Sequence, residues 1–331
     1  MTDNRSADWH GRYEQCLRYV EDVLRAVNSG KSIALGPSAA ALEPPLLAPA
    51  AHAASKPQVV YCAPHPDDES LSGALALRLC LEAGAQVTNL AITLGSDLGQ
   101  RARRLRELES ACRALRFDLV VPMHPSGFDG VNLKERRERP NEWAQKVQAL
   151  REIFNRLEPD WVFAPHAEDF NTTHIGTHFL VVEALGAHLE RSGRGPVQFV
   201  QTEFWHQLAE PNLMLGVSAE VAAIQLMAAM EHGGEMSRNP YHLLAPARMM
   251  DNVRRGSEVV GGQGAAAQSF PFAELYRVTF MRGREIVDPR PGGVIVGPTE
   301  KIDPASLAAK FLPRGNVNEV REVSGRRPDG E

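Results

Sequence analysis

Val59-Val60-Tyr61-Cys62-Ala63-Pro64-His65-Pro66-Asp67-Asp68-Glu69 is an apolar run that ends in an imidazole and three adjacent carboxylates. The apolar part predicts a buried strand, Val59 to Ala63. Charge placed at the end of such a strand is costly unless it is paired or holds a metal. In α/β proteins the strand ends that open into a cleft are also where chemistry sits. His65 and Asp68 are three apart, so a tight turn can aim both at one ion. His nitrogen and carboxylate oxygen are ordinary metal donors, and a catalytic zinc takes three protein ligands plus one open position. Asp67 then points elsewhere and can serve as a general base. Glu69 is expected to be no more than an acidic residue at a helix start.

Outward from this run, strands and helices alternate. Strands are expected at Val59 to Ala63, Gln86 to Thr93, Asp118 to Met123, Asp160 to Pro165 and Val197 to Glu203. Helices are expected at Leu71 to Ala83, Ala102 to Leu115, Asn141 to Leu157 and Thr173 to Arg191. That pattern predicts βαβ units and a Rossmann-like three-layer αβα fold with a mainly parallel sheet. Right-handed crossovers place every strand-to-helix loop on one edge. Before the sheet come an N-terminal helix over 8–28 and an Ala/Pro-rich connector, giving an expected first segment of 1–56. The main domain is expected over 57–288, followed by an irregular C-terminal tail over 289–331. Within the later part, Ala219 to Glu231 and Met249 to Arg255 read as helices, Asn239 to His242 as a turn, and Leu275 to Met281 as a strand. Gly261 to Ala267 reads as a loop fit to cover a site.

A second constellation follows the strand Asp160 to Ala164: Pro165-His166-Ala167-Glu168-Asp169-Phe170-Asn171-Thr172-Thr173-His174, then His178. The topology puts it on the same sheet edge as His65. His174 and His178 are four apart on one helix face, and either can complete a metal site. Thr172 or Thr173 is the expected helix cap.

Together the two motifs resemble the PIG-L/LmbE family of zinc-dependent N-deacetylases, over roughly residues 57 to 205. Ala63 to Glu69 is close to that family's hallmark. The family's second motif, His-Pro-x-Asp-x-His-Pro-Asp-His, is matched at His166, Asp169 and His174. The resemblance implies an LmbE-like fold, Zn²⁺ (or Fe²⁺) as cofactor, and removal of an N-acetyl group from an N-acetylglucosamine-type or related amide. It implies His65, Asp68 and His174 as metal ligands and Asp67 as general base. The inner His of the family motif falls at Asn171 here, and the Asp before the final His falls at Thr173. Asn171 can donate an amide N–H to an oxyanion, and His178 can replace the missing imidazole. Asp129, in Gly127-Phe128-Asp129-Gly130, and Arg104 are the candidate substrate contacts. A plain Asp-Gly turn and a surface ion pair with Glu107 or Glu109 are their ordinary alternatives. The substitution at Asn171 keeps open a metal-retaining, non-catalytic sugar-binding or scaffold module. An amidase acting on a non-sugar amide is a further alternative.

Composition narrows the classes. The 331-residue chain is 43% hydrophobic, enough for one sizeable core. Its net charge of -5 and pI near 6.1 give no nucleic-acid footprint. No apolar stretch approaches a membrane span and no secretory leader is evident. Cys16, Cys62, Cys80 and Cys112 lack CxxC spacing and suit reduced thiols. The expected location is cytoplasmic. The expected partner is a small amino sugar or N-acetyl conjugate, with no nucleic acid and no membrane, and a homo-oligomer is compatible with the sequence.

Overall fold

The computed structural model describes residues 56–236 and 239–312, with helical positions between 11 and 25. Most of the expected N-terminal helix, the connector before Lys56 and the chain beyond 312 lie outside the described residues. The chain divides into two compact units, Met1–Pro37 and Ser38–Glu331, and everything below concerns the second. In chain order its elements are β1 (Gln58–Ala63), α1 (Asp68–Leu71), α2 (Ala74–Ala83), β2 (Gln86–Ala91), α3 (Arg101–Leu115) and β3 (Asp118–Val120). Then come α4 (Leu133–Glu138), α5 (Pro140–Leu157), β4 (Trp161–Pro165), α6 (Thr172–Ser192), β5 (Val197–Thr202) and β6 (Leu213–Val217). The last are α7 (Ala219–Glu231), α8 (Gly233–Met236), α9 (Tyr241–Val259), β7 (Phe272–Arg282), β8 (Glu285–Val287), β9 (Val294–Val296) and α10 (Pro304–Ala309).

The sheet runs β3-β2-β1-β4-β5-β7-β6-β9, with β8 on β7. The first five strands are parallel, and β7 joins β5 antiparallel. The period-2 alternation of a strand shows directly in β1. Val59, Tyr61 and Ala63 enter one core with α2, α3 and α7, while Val60 and Cys62 enter the other with α5 and α6. A strand covered on both faces has no polar side, which is why its sequence is continuously apolar. The result is the expected three-layer αβα architecture. The chain winds outward from β1 through β2 to β3, then returns to β4 on the other side of β1. At that reversal the strand ends diverge and leave a crevice at their carboxyl edge. Both motifs follow these two strands.

Several local expectations change. The helix expected from Leu71 to Ala83 breaks at Ser72-Gly73. A Cβ on Gly73 would collide with the Glu69 carbonyl oxygen, so only glycine lets the chain turn there. The third strand ends at Val120 rather than Met123, and α4 is additional. Tyr241 and His242 open α9 instead of forming a turn. The loop 261–267 packs on α9, through Gly261 N to Gly256 O and Gln268 N to Ser257 Oγ, and lines no part of the site described below. Residues 289–312 were expected to be loosely held. They carry β9, paired with β6, and bury Ile302, Leu307 and Phe311 in the core. That segment's apolar residues are spaced between prolines and glycines, which hid them in the sequence.

Candidate active site

His65 leaves the end of β1, Asp68 opens α1, and His174 lies in the first turn of α6 after β4. Among the described residues these three form the one cluster of His, Cys and acidic groups able to hold a metal. His65 Nδ1 is 3.2 Å from His174 Nε2. Asp68 Oδ2 is 3.3 Å from each of those nitrogens. A tetrahedral ion with bonds of about 2.0–2.1 Å requires donor-to-donor edges of roughly 3.3–3.4 Å. The triangle therefore fits a small divalent cation, and a His-Asp-His donor set suits Zn²⁺ or Fe²⁺ alike. The remaining nitrogen of His174, Nδ1, is buried and faces Asp169 Oδ2 at 3.6 Å. A carboxylate behind a ligating imidazole fixes which nitrogen carries the proton and leaves the other lone pair for the ion. Burial alone would lower the pKa of His174, but Asp68 and Asp169 outweigh it and raise it to about 10. Burial works against Asp68 too, and His174 and His65 overcome it, holding the carboxyl well below the usual range.

Asp67 adopts φ 122°, a left-handed conformation that a non-glycine residue rarely takes. Its backbone N–H donates to Glu69 Oε2 at 3.0 Å, and its Oδ2 accepts the Tyr241 hydroxyl at 2.9 Å. Burial and the adjacent Asp68 carboxylate push Asp67 up to about 8. Glu69 is not a plain helix-start residue. It is completely buried and its Oε1 pairs with His232 Nε2 at 2.7 Å, where His232 follows the last residue of α7. Sequence reasoning missed His232, because nothing local marks a histidine 163 positions away as the partner of this acid.

In the second motif, His166 spends both ring nitrogens on backbone: Nε2 donates to His206 O and Nδ1 accepts Glu168 N–H. Asn171, rather than Thr172 or Thr173, caps α6, its Oδ1 accepting Thr173 N–H at 2.8 Å. Only its amide NH₂ remains as a donor. His178 is buried, donates from Nδ1 to Pro165 O at 2.8 Å, and is not among the residues lining the cavity. Burial lowers its pKa to about 4.

A cavity of about 440 Å³ opens over the triangle. His65, Asp67, Asp68, Asn171, Trp205 and Tyr241 line it, together with Arg101, Arg104, Asp129 and Asn132. Arg104 is not a surface pair with Glu107 or Glu109. It reaches Glu235 at 3.4 Å and the Pro66 carbonyl at 3.3 Å, crossing over Gly95, where a Cβ would strike its guanidinium. Asp129 pairs with Arg101, whose Nε also holds the Gly95 carbonyl. The structure thus brings His65, Asp67, Asp68, Asn171, Arg104 and Asp129 to one cavity, with His174 beneath it.

Residues 60–185 match the PIG-L family, described as GlcNAc-PI de-N-acetylase. The match spans both motifs and supports the resemblance drawn from them. The chain is 29% identical over 157 residues to a 1D-myo-inositol 2-acetamido-2-deoxy-alpha-D-glucopyranoside deacetylase of Mycobacterium leprae. That match covers 40% of this chain and 51% of the relative, so the chain spans about half the length of the curated relatives it matches. Among solved structures, the 4-carboxy-2-hydroxymuconate hydratase GalB of Pseudomonas putida KT2440 is similar at TM-score 0.50 and 18% identity, covering 69% of this chain and 97% of its own. N,N'-diacetylchitobiose deacetylase from Pyrococcus horikoshii gives TM-score 0.49 and 16% identity, covering 70% and 85%. The hydratase shares the fold, so the fold by itself does not select a reaction.

Proposed function

We propose that the protein is a metal-dependent hydrolase that removes an N-acetyl group from an N-acetylglucosamine-type amide. The observation that carries this reading is the triangle of His65, Asp68 and His174 donors beside a buried carboxylate, Asp67, in the wall of a polar cavity. The M. leprae relative, named as a deacetylase of a 2-acetamido-glucopyranoside, supports the substrate class. His65, Asp68 and His174 are the residues that would hold the ion, Zn²⁺ by first choice. When bound, such an ion acidifies water and polarises a carbonyl.

The chain's own groups divide the remaining work. Asp67 takes the proton of the attacking water and passes it to the leaving amine, the dual role of a positioned carboxylate. A cation held by Asp68 would oppose the two causes that raise Asp67, burial and its neighbour's negative charge. The Asn171 amide N–H donates to the carbonyl oxygen as charge builds on it. His178, outside the cavity lining and committed to Pro165 O, is the weaker candidate for that role. Arg104 and Asp129 face the sugar hydroxyls, and the exposed Trp205 lines the same cavity.

The test is acetate and free-amine release from N-acetylglucosamine conjugates by purified protein, with and without a chelator. Release should stop on verified metal removal and return with Zn²⁺. An unchanged rate after removal overturns the metal mechanism. Asn171, standing where the family motif has histidine, favours a second reading, a binding module without turnover. Asp67→Asn separates the two: a hydrolase loses turnover with metal retained, whereas a binder keeps its sugar affinity and has no turnover to lose.

A further inference from the structure

We propose that Tyr241, at the start of α9, and the Glu69–His232 pair, at the end of α7, act as positioning residues for Asp67. The inference rests on the reading of Asp67 as the proton-transferring carboxylate. The residues concerned, His232 to Tyr241, lie outside the 60–185 match to the family.

Asp67 sits in a conformation that its own chain does not favour, so something must hold it there. Two contacts do so, one on its backbone and one on its side chain. The backbone contact is the N–H bond to Glu69 Oε2 at 3.0 Å. Glu69 cannot swing away, because its other oxygen is held by His232 at 2.7 Å, and both side chains are fully buried. The side-chain contact is the Tyr241 hydroxyl on Asp67 Oδ2 at 2.9 Å. Tyr241 is itself buried and lines the cavity. Holding one carboxylate oxygen leaves the base the other with which to accept a proton.

The short helix α8 is fastened as well. Glu235 pairs with Arg104, which lines the cavity, and Gly234 N–H donates to Glu107 Oε1 at 3.2 Å. His232 caps the end of α7 and Tyr241 begins α9, so the ends of two helices meet the turn that carries Asp67. A residue placed this way lowers the cost of reaching the reactive geometry without touching the metal ligands.

The experiment is a double-mutant cycle with Tyr241→Phe and Asp67→Asn, read in both turnover and stability. Tyr241→Phe keeps the ring and removes the hydroxyl. In the wild-type background it should lower kcat about ten- to a hundredfold, as loss of a bond to a charged group does. KM should stay within about twofold and bound Zn²⁺ should be unchanged. In the Asp67→Asn background the same change should have no further effect on residual kcat. In thermal unfolding the two losses should be less than additive, since Tyr241→Phe deletes the bond and Asp67→Asn leaves it only a neutral amide oxygen as acceptor. A kcat within twofold of wild type, or additive losses in both readouts, overturns the positioning role. If the wild type releases no acetate, the deacetylase reading falls by itself; the anchoring is then decided by the stability cycle, where additivity overturns it and coupling upholds the contact.

Discussion

Gly176→Ala pits two effects of opposite sign against each other. Gly176 lies inside α6, two residues after His174, and its backbone is helical rather than left-handed. On intrinsic preference alone, alanine in a helix interior gains up to about 1 kcal/mol over glycine. The surroundings oppose it. A Cβ there would lie 2.5 Å from the Val131 carbonyl carbon and 2.6 Å from Asn132 N, with the Val131 oxygen closer still. Ordinary contact begins at 3.4 Å, so at the Val131 oxygen something must yield by about 1.0 Å. The obstacle is backbone and cannot rotate aside. Either the cavity-lining loop at Val131 and Asn132 moves out, or α6 does. Movement of α6 takes His174 with it and breaks the 3.2–3.3 Å triangle. Overpacking of this kind costs roughly 1–3 kcal/mol, which exceeds the propensity gain or at least cancels it. A misplacement near 1 Å at a reacting centre costs about a hundredfold in rate. The assay is thermal unfolding together with calorimetric Zn²⁺ titration. The expected result is a variant no more stable than wild type that binds Zn²⁺ at least tenfold more weakly. A variant that is more stable, with unchanged Zn²⁺ affinity, would falsify the placement of α6 against the 131–132 loop.

Three further outcomes are expected. Asp169→Asn should weaken Zn²⁺ binding about 10- to 100-fold, as losing the carboxylate behind a ligating histidine does; titration against a competing chelator measures it, and an unchanged affinity removes Asp169 from that role. Glu69→Gln should cost about 3–5 kcal/mol, since it strips one partner from a buried charged pair. Burial lowers the pKa of His232 but Glu69 outweighs it and raises it, so the pair's contribution is full below about pH 6.5 and fades as pH rises through the raised value. Denaturant titrations should therefore show the largest gap from wild type in acid, and a gap that grows with pH contradicts the pairing. His178 has the opposite sign: its pKa is lowered to about 4 by burial, so its neutral form stabilises the fold above pH 6.5. That contribution is lost as pH falls from 6.5 through 4, up to roughly 3 kcal/mol. His178→Gln, which keeps a donor for Pro165 O, should flatten this acid limb in unfolding experiments.

The parts of the fold that the sequence made legible are those where local chemistry and tertiary role coincide. β1 is apolar throughout because both its faces are buried, and the helix Ala219–Glu231 falls where its apolar composition put it. His65 and Asp68 stand out because they follow a strand at a sheet edge, while the choice of His174 over His178, four residues on, comes from the resemblance to the PIG-L/LmbE motif. What stayed hidden depends on distance along the chain. Glu69 looks like any acidic residue at a helix start until His232 is beside it. Arg104 looks like a surface residue until Gly95 lets it reach across to Glu235. Asn171 reads as an oxyanion donor, and the use of its side-chain oxygen to cap α6 is hidden by the two threonines that follow it, either of which is an equally good cap by sequence. Residues 289–312 misled for the reverse reason, since prolines and glycines surround the few apolar residues that pack.

Asp67, Asp68 and Glu69 show how a fold gives three adjacent residues of similar chemistry three different jobs. All three are buried. Neighbouring carboxylates in a poorly solvated place cannot all keep their charge unless each has its own counter-group. The counter-groups come from separate parts of the chain. Asp68 is met by His65 and by His174 from α6, and its pKa falls. Glu69 is met by His232 at the end of α7. Asp67 receives only a neutral hydroxyl at hydrogen-bond distance, from Tyr241, and its pKa rises to about 8. The two acids given a histidine are thereby each committed to a partner, one in the proposed cation site and one in the turn. The acid given a hydroxyl remains able to exchange a proton, which is the property the proposed reaction requires of it. The type of residue does not decide this division, because Asp67 and Asp68 are identical; the helix end that reaches each one does.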